Sequence, residues 1–188
     1  MPKEWYHGKT SSLQRDEVFF FYKGGEKMNV EIRKMLPEDI KDVQHVASKT
    51  WKATYAGIIP GEVQENFLTA AYSDENMEYR MNHSLLLVAE IKGKVVGFAN
   101  FSPVNEKGEV ELGAIYIYPE NQGAGVGTAL LNEGIILLDE VKEIYINVER
   151  DNEIGKMFYQ AKGFKPIREF DDNFDGHVLK TIRMVLKV

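Results

Sequence analysis

A glycine-rich segment in the second half of the chain contains the residue types that bind a phosphate group. A predicted strand over residues 115–118 ends at Pro119 and is followed by three alternate glycines, Gly123, Gly125 and Gly127, ahead of a predicted helix. Glycine lets the backbone approach a ligand closely, and the first turn of a helix offers unpaired N–H groups and a positive dipole end. The segment predicts a site for a phosphate or pyrophosphate, although a glycine-rich helix cap without a ligand would show the same pattern.

Two common phosphate-binding motifs do not fit this segment. A dinucleotide fingerprint needs a glycine where Thr128 stands, and a Walker loop needs a Gly-Lys-Ser/Thr sequence that is absent here. Both motifs usually follow the first strand of a parallel unit, whereas this segment comes late in the chain.

Two segments together resemble the GCN5-related N-acetyltransferases. Residues 122–127 are similar to the Gln/Arg-x-x-Gly-x-Gly/Ala motif of that superfamily, and residues 152–164 resemble its Asn-x-x-Ala-x-x-Phe-Tyr-x-x-x-Gly-Phe motif. Gly155 departs from the usual alanine but keeps a small residue there. In the order of its elements the resemblance extends over about residues 30–187, and it leaves out residues 1–27.

This resemblance implies a fold, a reaction and a co-substrate. The fold is α/β, of the acyl-CoA N-acyltransferase type, with a mixed central sheet splayed at the fourth strand and helices on both faces. The reaction is transfer of an acetyl group from acetyl-coenzyme A to a primary amine by direct attack, without a metal. Because the chain has no cysteine, a covalent acyl-enzyme through cysteine is excluded.

The resemblance also implies which residues hold coenzyme A. The backbone of residues 115–117 would pair with the pantetheine arm and stabilise the thioester carbonyl, and the amides of residues 123–128 would bind the pyrophosphate. Asn152 matches an asparagine that contacts coenzyme A, and it also suits a helix N-cap. The implied coenzyme A residues are Ile115, Tyr116, Ile117, Gln122, Gly123, Ala124, Gly125, Val126, Gly127, Thr128, Asn152 and Lys156.

Two residues are candidates for proton transfer. Tyr159 matches a tyrosine that often acts as general acid in the family, and a phenol with a pKa of ~10 can protonate a leaving thiolate. Packing beside Phe158 and Phe164 is the alternative for Tyr159. Glu111 matches the glutamate used as general base in the histone-acetylating branch, and a base is needed because an alkylammonium is not a nucleophile. An even offset along the strand would place Glu111 on the same face as Ile115, and a solvated surface carboxylate is the alternative.

The acceptor amine would be selected by the N-terminal helices. Residues 50–60 are similar to a segment in bacterial relatives that include polyamine acetyltransferases. Trp51 and Tyr55 stand four apart on one helix face, where they could wall an acceptor site or hold a cation. Packing between two helices is the preferred interpretation for them. The net charge of −6 favours a cationic acceptor and argues against a general nucleic-acid binder.

Several functional questions stay open at this point. A protein N-alpha or N-epsilon acetyltransferase and a non-catalytic coenzyme A sensor are the alternatives to a polyamine acetyltransferase. The length of the acyl group is not fixed, and a homodimer is an open alternative to a monomer. Because no apolar run reaches the ~18 residues that span a membrane, and no secretory signal is evident, the chain is expected to be cytoplasmic without a membrane partner.

Strands and helices alternate from residue 28 onward. The patterns predict strands over residues 30–35, 85–91, 95–101, 110–118, 144–148, 164–170 and 178–188, and helices over residues 37–55, from 60, over 73–81, after 127 and over 153–161.

Residues 1–27 show neither a helical nor a strand period. Residues 23–27 can be encoded by a purine-rich stretch just ahead of the Met28 codon, as in a bacterial ribosome-binding site. The sequence therefore predicts a leader over residues 1–27, from a mis-called start or a disordered segment, and a single domain over residues 28–188. A natural N-terminal arm or an engineered leader is the alternative.

Two apparent metal signals are rejected. Residues 171–176 match the first half of a calcium loop, but Ile182 stands where that loop needs a glutamate, so a polar hairpin turn is predicted. The histidines without metal-ligand spacing are His7, His45, His83 and His177.

Overall fold

The computed structural model describes residues 17–23, 26–174 and 176–188. Within these ranges one mixed sheet has the strand order β1-β2-β3-β4-β5-β6-β8-β7, and its neighbours are antiparallel except for the parallel pair β5 and β6. The strands are β1 Glu17–Lys23, β2 Glu26–Lys34, β3 Leu85–Ile91, β4 Lys94–Phe101, β5 Glu109–Ile117, β6 Glu143–Glu149, β7 Lys165–Phe174 and β8 His177–Lys187. The helices are α1 Ile40–Thr54, α2 Gly61–Ala71, α3 Asp74–His83, α4 Val126–Leu137 and α5 Glu153–Ala161.

Helices cover both faces of the sheet, as the fold prediction requires. The apolar stripe of α4 packs on one face, in a core that includes Phe101, Leu130 and Ile146. The first three helices pack on the other face, in a second core that includes Val46 and Phe98. Among the helices of the described ranges, none combines the length and the apolar character needed to cross a membrane.

The sheet opens between β5 and β6. Their ladder joins only Glu109–Glu111 to Glu143–Tyr145, and both strands continue beyond it. The pairing of β5 with β4 skips Gly113, which is a β-bulge, and a bulged strand bends. The predicted splay at this strand is confirmed; it is the fourth strand when strands are counted from residue 28.

Strand β1 lies in the segment that the residue pattern predicts to lack strands. It pairs with β2 from Glu17 opposite Ile32 to Lys23 opposite Glu26. An edge strand of this kind depends on its partner more than on its own period, which explains why the pattern misses it. Residues 1–16 and 24–25 of the predicted leader, and His7 with them, lie outside the described residues.

The polar turn predicted over residues 171–176 is shorter in the structure. Strand β7 continues to Phe174, opposite His177 of β8, so the first four residues of the predicted turn are paired. Asp171 also forms an ion pair with Lys180 across the hairpin. Asp175 lies outside the described residues.

Candidate active site

A cleft of about 470 Å³ occupies the gap between β5 and β6. Its walls combine the second half of β5, the glycine-rich loop, the start of α5 and the C-terminal end of α1. The predicted site residues that line it are Trp51, Tyr55, Ile115, Tyr116, Ile117, Gln122, Gly123, Gly125, Gly127, Thr128, Asn152 and Tyr159.

The backbone of β5 presents hydrogen-bonding groups to this cleft. The Tyr118 N–H donates to the Val96 carbonyl at 3.0 Å, toward β4. Because successive residues of a strand alternate, Ile115 and Ile117 direct their N–H and C=O groups to the opposite side. The β5–β6 ladder has already ended there, so these groups face the gap.

The carbonyl oxygen of Ile117 already has partners inside the protein. It accepts hydrogen bonds from Thr50 Oγ1 at 3.3 Å and from Gln122 Nε2 at 3.1 Å. Gln122 thereby ties the strand to the glycine-rich loop that follows. The N–H groups of Ile115 and Ile117 remain directed at the cleft.

The glycine-rich loop adopts backbone conformations that favour glycine. Gly123 has φ +74° and Gly125, the N-cap of α4, has φ +86°, where other L-residues are strained. A Cβ on Gly127 would lie 3.0 Å from both Ile117 and Phe158, so the missing side chain lets α4 approach α5. The first N–H groups of α4 are unpaired within the helix, which suits an anion such as a pyrophosphate.

Three tyrosines, Tyr55, Tyr116 and Tyr159, share the cleft. Burial raises the pKa of each hydroxyl above its usual value, and the nearby Tyr116 raises the pKa of the other two further. All three phenols therefore stay protonated at neutral pH and can donate a proton or a hydrogen bond. Tyr159 also packs edge-on against Phe158 and Phe164, at centroid distances of 5.4 and 5.3 Å.

Asn152 combines a structural contact with a place in the lining. Its Oδ1 accepts a hydrogen bond from the Gly155 N–H at 2.9 Å, which caps α5. A Cβ on Gly155 would lie 2.8 Å from the Asn152 amide nitrogen. Glycine in place of the family's alanine therefore gives this side chain room over the helix start. The predicted cap is confirmed, and the contact with coenzyme A stays a prediction.

Glu111 lies beside the cleft and not in its lining. Its carboxylate binds both Nη atoms of Arg183, with an Nη1–Oε2 distance of 2.7 Å, and its side chain is 49% exposed. The argument that an even offset places Glu111 on the face of Ile115 is wrong, because the bulge at Gly113 shifts the alternation. Ile115 packs toward the core under α4, whereas Glu111 shares the opposite face with Tyr116. Its role as base stays a prediction.

Three further residues of the predicted coenzyme A set are not among the residues that line the cleft. The side chains of Ala124 and Val126 are buried, so only their backbone could reach a ligand. The ammonium of Lys156 pairs with Glu153 at 2.7 Å on the first turn of α5.

Trp51 is 5% exposed and belongs to an aromatic cluster. Its ring lies 4.4 Å from that of Phe67, 4.6 Å from that of Tyr55 and 5.6 Å from that of Phe174. Core packing, the preferred interpretation, accounts for these contacts, yet Trp51 also lines the cleft. Its indole N–H lies near the Tyr116 hydroxyl but forms no hydrogen bond with a described residue.

The cleft also has residues that the sequence analysis does not single out. Thr50 and Thr54 of α1 and Asn147 of β6 belong to its lining. Asn147 stands between the core residues Ile146 and Val148. A polar residue in an otherwise apolar strand is the feature of the sequence that could have identified it as a site residue. Within the described ranges, no three side chains among His, Asp and Glu are grouped to hold a metal ion.

Comparisons with known sequences match the same region. The model of the acetyltransferase (GNAT) family matches residues 48–164. The uncharacterized N-acetyltransferase YuaI of Bacillus subtilis is 34% identical over 151 residues, which cover 78% of this chain and 85% of that protein. A spermidine N(1)-acetyltransferase of Thermoplasma acidophilum is 32% identical over 146 residues, which cover 73% of this chain and 89% of that protein.

Solved structures share the fold. The PaiA N-acetyltransferase from Thermoplasma acidophilum, crystallised in complex with coenzyme A, has a TM-score of 0.74 and 29% identity, over 85% of this chain and 99% of that one. A ribosomal-protein-alanine N-acetyltransferase from Brucella melitensis has a TM-score of 0.60 and 21% identity, over 84% of this chain and 99% of that one. The similarity to the structure from Brucella melitensis shows a shared fold and nothing about the acceptor.

Proposed function

The chain belongs to the acetyltransferase (GNAT) family, and we propose that its acceptor is a small amine with more than one positive charge, such as a polyamine. Membership of the family makes the chain an acetyl-coenzyme A-dependent N-acetyltransferase. The observation that supports the choice of acceptor best is the aromatic wall of the cleft, where Trp51, Tyr55, Tyr116 and Tyr159 meet. Aromatic faces attract cations, and the net charge of −6 adds long-range attraction.

The residues of the cleft fit coenzyme A. The N–H groups of Ile115 and Ile117 suit the amides of a pantetheine arm, since both point into a gap that no strand fills. The loop of residues 123–128 suits the pyrophosphate, and a Cβ on Gly123 would meet no atom within 4 Å, so the approach is open. When bound, acetyl-coenzyme A supplies the acetyl group as an activated thioester.

The chain's own residues would position the reactants and move protons. Tyr159 retains its proton at neutral pH and would donate it to the departing sulfur. Glu111 would take the proton of the amine, and because it lies outside the lining, a water molecule would carry that proton to it. One backbone N–H group among residues 115–117 would stabilise the carbonyl oxygen during the transfer.

One relative is consistent with a polyamine acceptor. The spermidine N(1)-acetyltransferase of Thermoplasma acidophilum is 32% identical to this chain. The likeness to a ribosomal-protein-alanine acetyltransferase extends to the fold alone, so it gives a peptide acceptor less support.

An acceptor panel tests this proposal. The purified chain, with acetyl-coenzyme A, is offered spermidine, spermine, a monoamine, an N-terminal peptide and an aminoglycoside, and the release of free thiol is measured. We expect the highest kcat/KM with spermidine or spermine. Thiol release with the peptide or the aminoglycoside, but with neither polyamine, would exclude the polyamine while leaving the acetyltransferase activity in place.

A further inference from the structure

Glu149, the last residue of β6, is a buried carboxylate that forms none of the ion pairs among the described residues. The residue is 6% exposed. Its Oε2 accepts one hydrogen bond, from the Asp151 N–H at 2.8 Å. Buried carboxylates are normally paired with a cation or accept several hydrogen bonds. Glu149 accepts one hydrogen bond and has no cationic partner among the described residues.

Glu149 lies on the face of the sheet where the acceptor amine would enter. Ile146 and Val148 of β6 pack into the core under α4. Because side chains alternate along a strand, Asn147 and Glu149 share the opposite face, on the side of α1. Asn147 lines the cleft, and so does Asn152, three residues after Glu149.

The second carboxylate oxygen, Oε1, is not completely enclosed by the described residues. This oxygen forms no hydrogen bond with a described residue. The described residues include a few completely enclosed side-chain atoms that lack a partner, and Oε1 is not one of them. Tyr55, in the wall of the cleft, lies close enough for the Glu149 charge to raise the pKa of its hydroxyl. Glu149 is not itself one of the residues that line the cleft, and its unsatisfied negative charge stands within electrostatic range of Tyr55, which does line it.

We propose that Glu149 binds the second, non-reacting ammonium group of the acceptor and so selects amines that carry two or more charges. This inference rests on the polycationic acceptor proposed above. An incoming ammonium would pair with Oε1, while the hydrogen bond from the Asp151 N–H keeps the carboxylate in place. A monoamine has no second ammonium group, so its affinity does not depend on Glu149.

A purely structural role is the competing explanation. The Glu149 carbonyl accepts a hydrogen bond from the Asn152 N–H at 3.1 Å, so residues 149–152 form a turn that the carboxylate also supports. Glu149→Gln separates the two roles, because glutamine keeps the size and an acceptor oxygen for Asp151 but loses the charge. Glu62→Gln is the matched control, since it removes one charge from an exposed position on α2.

The experiment compares the full chain with both variants in steady-state kinetics, using spermidine and butylamine at saturating acetyl-coenzyme A. For Glu149→Gln we expect the KM for spermidine to rise by about tenfold or more, the size expected for a lost hydrogen bond to a charged group. The kcat/KM for butylamine, the Kd for coenzyme A and the Tm should stay as in the parent chain. Glu62→Gln should resemble the parent in all four measurements.

Three outcomes would overturn the inference. An unchanged KM for spermidine would remove Glu149 from the acceptor site, and an equal loss for both amines would indicate a general base. A fall in Tm with a loss of coenzyme A affinity would indicate the structural role.

If the parent chain acetylates the monoamine and no polyamine, the proposed function has failed. If the parent acetylates spermidine and Glu149→Gln does so equally well, only the role of Glu149 has failed.

Discussion

At the scale of the residue, Tyr159 combines observed packing with a proposed role as general acid. Its ring packs against Phe158 and Phe164, the residue lines the cleft, and burial raises the pKa of its hydroxyl above the usual value. The sign of that shift matters, because a raised pKa keeps the phenol protonated as the pH increases. Deprotonation of Tyr159 should therefore not limit activity until the pH is above ~10.

Tyr159→Phe keeps the ring contacts and removes the proton. We expect kcat to fall by ~10²-fold or more, with the KM for acetyl-coenzyme A and the Tm little changed. Steady-state thiol release measures the rates, and a pre-steady-state burst experiment identifies the slow step. An unchanged kcat with chemistry as the slow step would restrict Tyr159 to packing.

At the scale of the element, we expect the glycine-rich loop and the start of α4 to form one anion site. Gly125→Glu would add bulk and a negative charge where we expect the pyrophosphate to bind, so coenzyme A binding should be lost. The substitution also strains the backbone, because Gly125 has φ +86°. Gly125→Asn is the matched control, since asparagine tolerates this conformation better and adds no charge.

Titration calorimetry with coenzyme A distinguishes these two variants. We expect no measurable binding for Gly125→Glu and weakened but detectable binding for Gly125→Asn, with the two Tm values close together. Wild-type affinity in Gly125→Glu would exclude the loop as the pyrophosphate site.

Local patterns predict most of the elements, because each pattern is a property of its own residues. The strand predicted over residues 85–91 is found at Leu85–Ile91, and the helix predicted over 153–161 is found at Glu153–Ala161. The sequence does not reveal the bulge at Gly113, because inward and outward side chains alternate regularly both before and after it. At the bulge only the face to which each following residue points is reversed. That change of phase also defeats the argument about the face of Glu111.

The candidate site is predictable only where its residues are consecutive. Both segments predicted to bind coenzyme A follow from short motifs, and most of their residues line the cleft. Phe67 and Phe174 contact Trp51 from α2 and β7. Such contacts arise from tertiary packing between distant segments, which periodicity in one sequence does not encode.

At the scale of the whole molecule, β1 is remote from the cleft. It pairs with β2 at the outer edge of the sheet, and three strands separate it from β5. Removal of residues 1–27 should therefore leave coenzyme A binding unchanged. It should lower the Tm by a few degrees, since Phe19 packs against the core and its burial contributes about 1–2 kcal/mol. Calorimetry and thermal unfolding of the 28–188 chain measure both effects, and a collapse of the Tm would show that the domain needs its first segment.

The net charge of −6 also acts at this scale. Salt shortens the Debye length from ~10 Å at 0.1 M to ~3 Å at 1 M, so electrostatic attraction of a polycation should weaken. We expect kcat/KM for spermidine to fall with added salt, and that for a monoamine to fall less. Equal salt dependence for the two amines would show that charge does not guide the acceptor.

The gap between β5 and β6 means that the molecule contains strand edges in its interior. Exposed edges invite pairing with other chains and aggregation, and natural sheets protect them. At the outer edge, β7 has Pro166 and charged residues such as Lys165, Arg168 and Asp172, which discourage a foreign strand. The inner edges have no such residues at Ile115 and Ile117; they lie in a cleft walled by α1 and α5. A thin chain such as a pantetheine arm would pair with these edges, so the backbone groups that would bind the ligand are the same ones that α1 and α5 shield from a foreign strand.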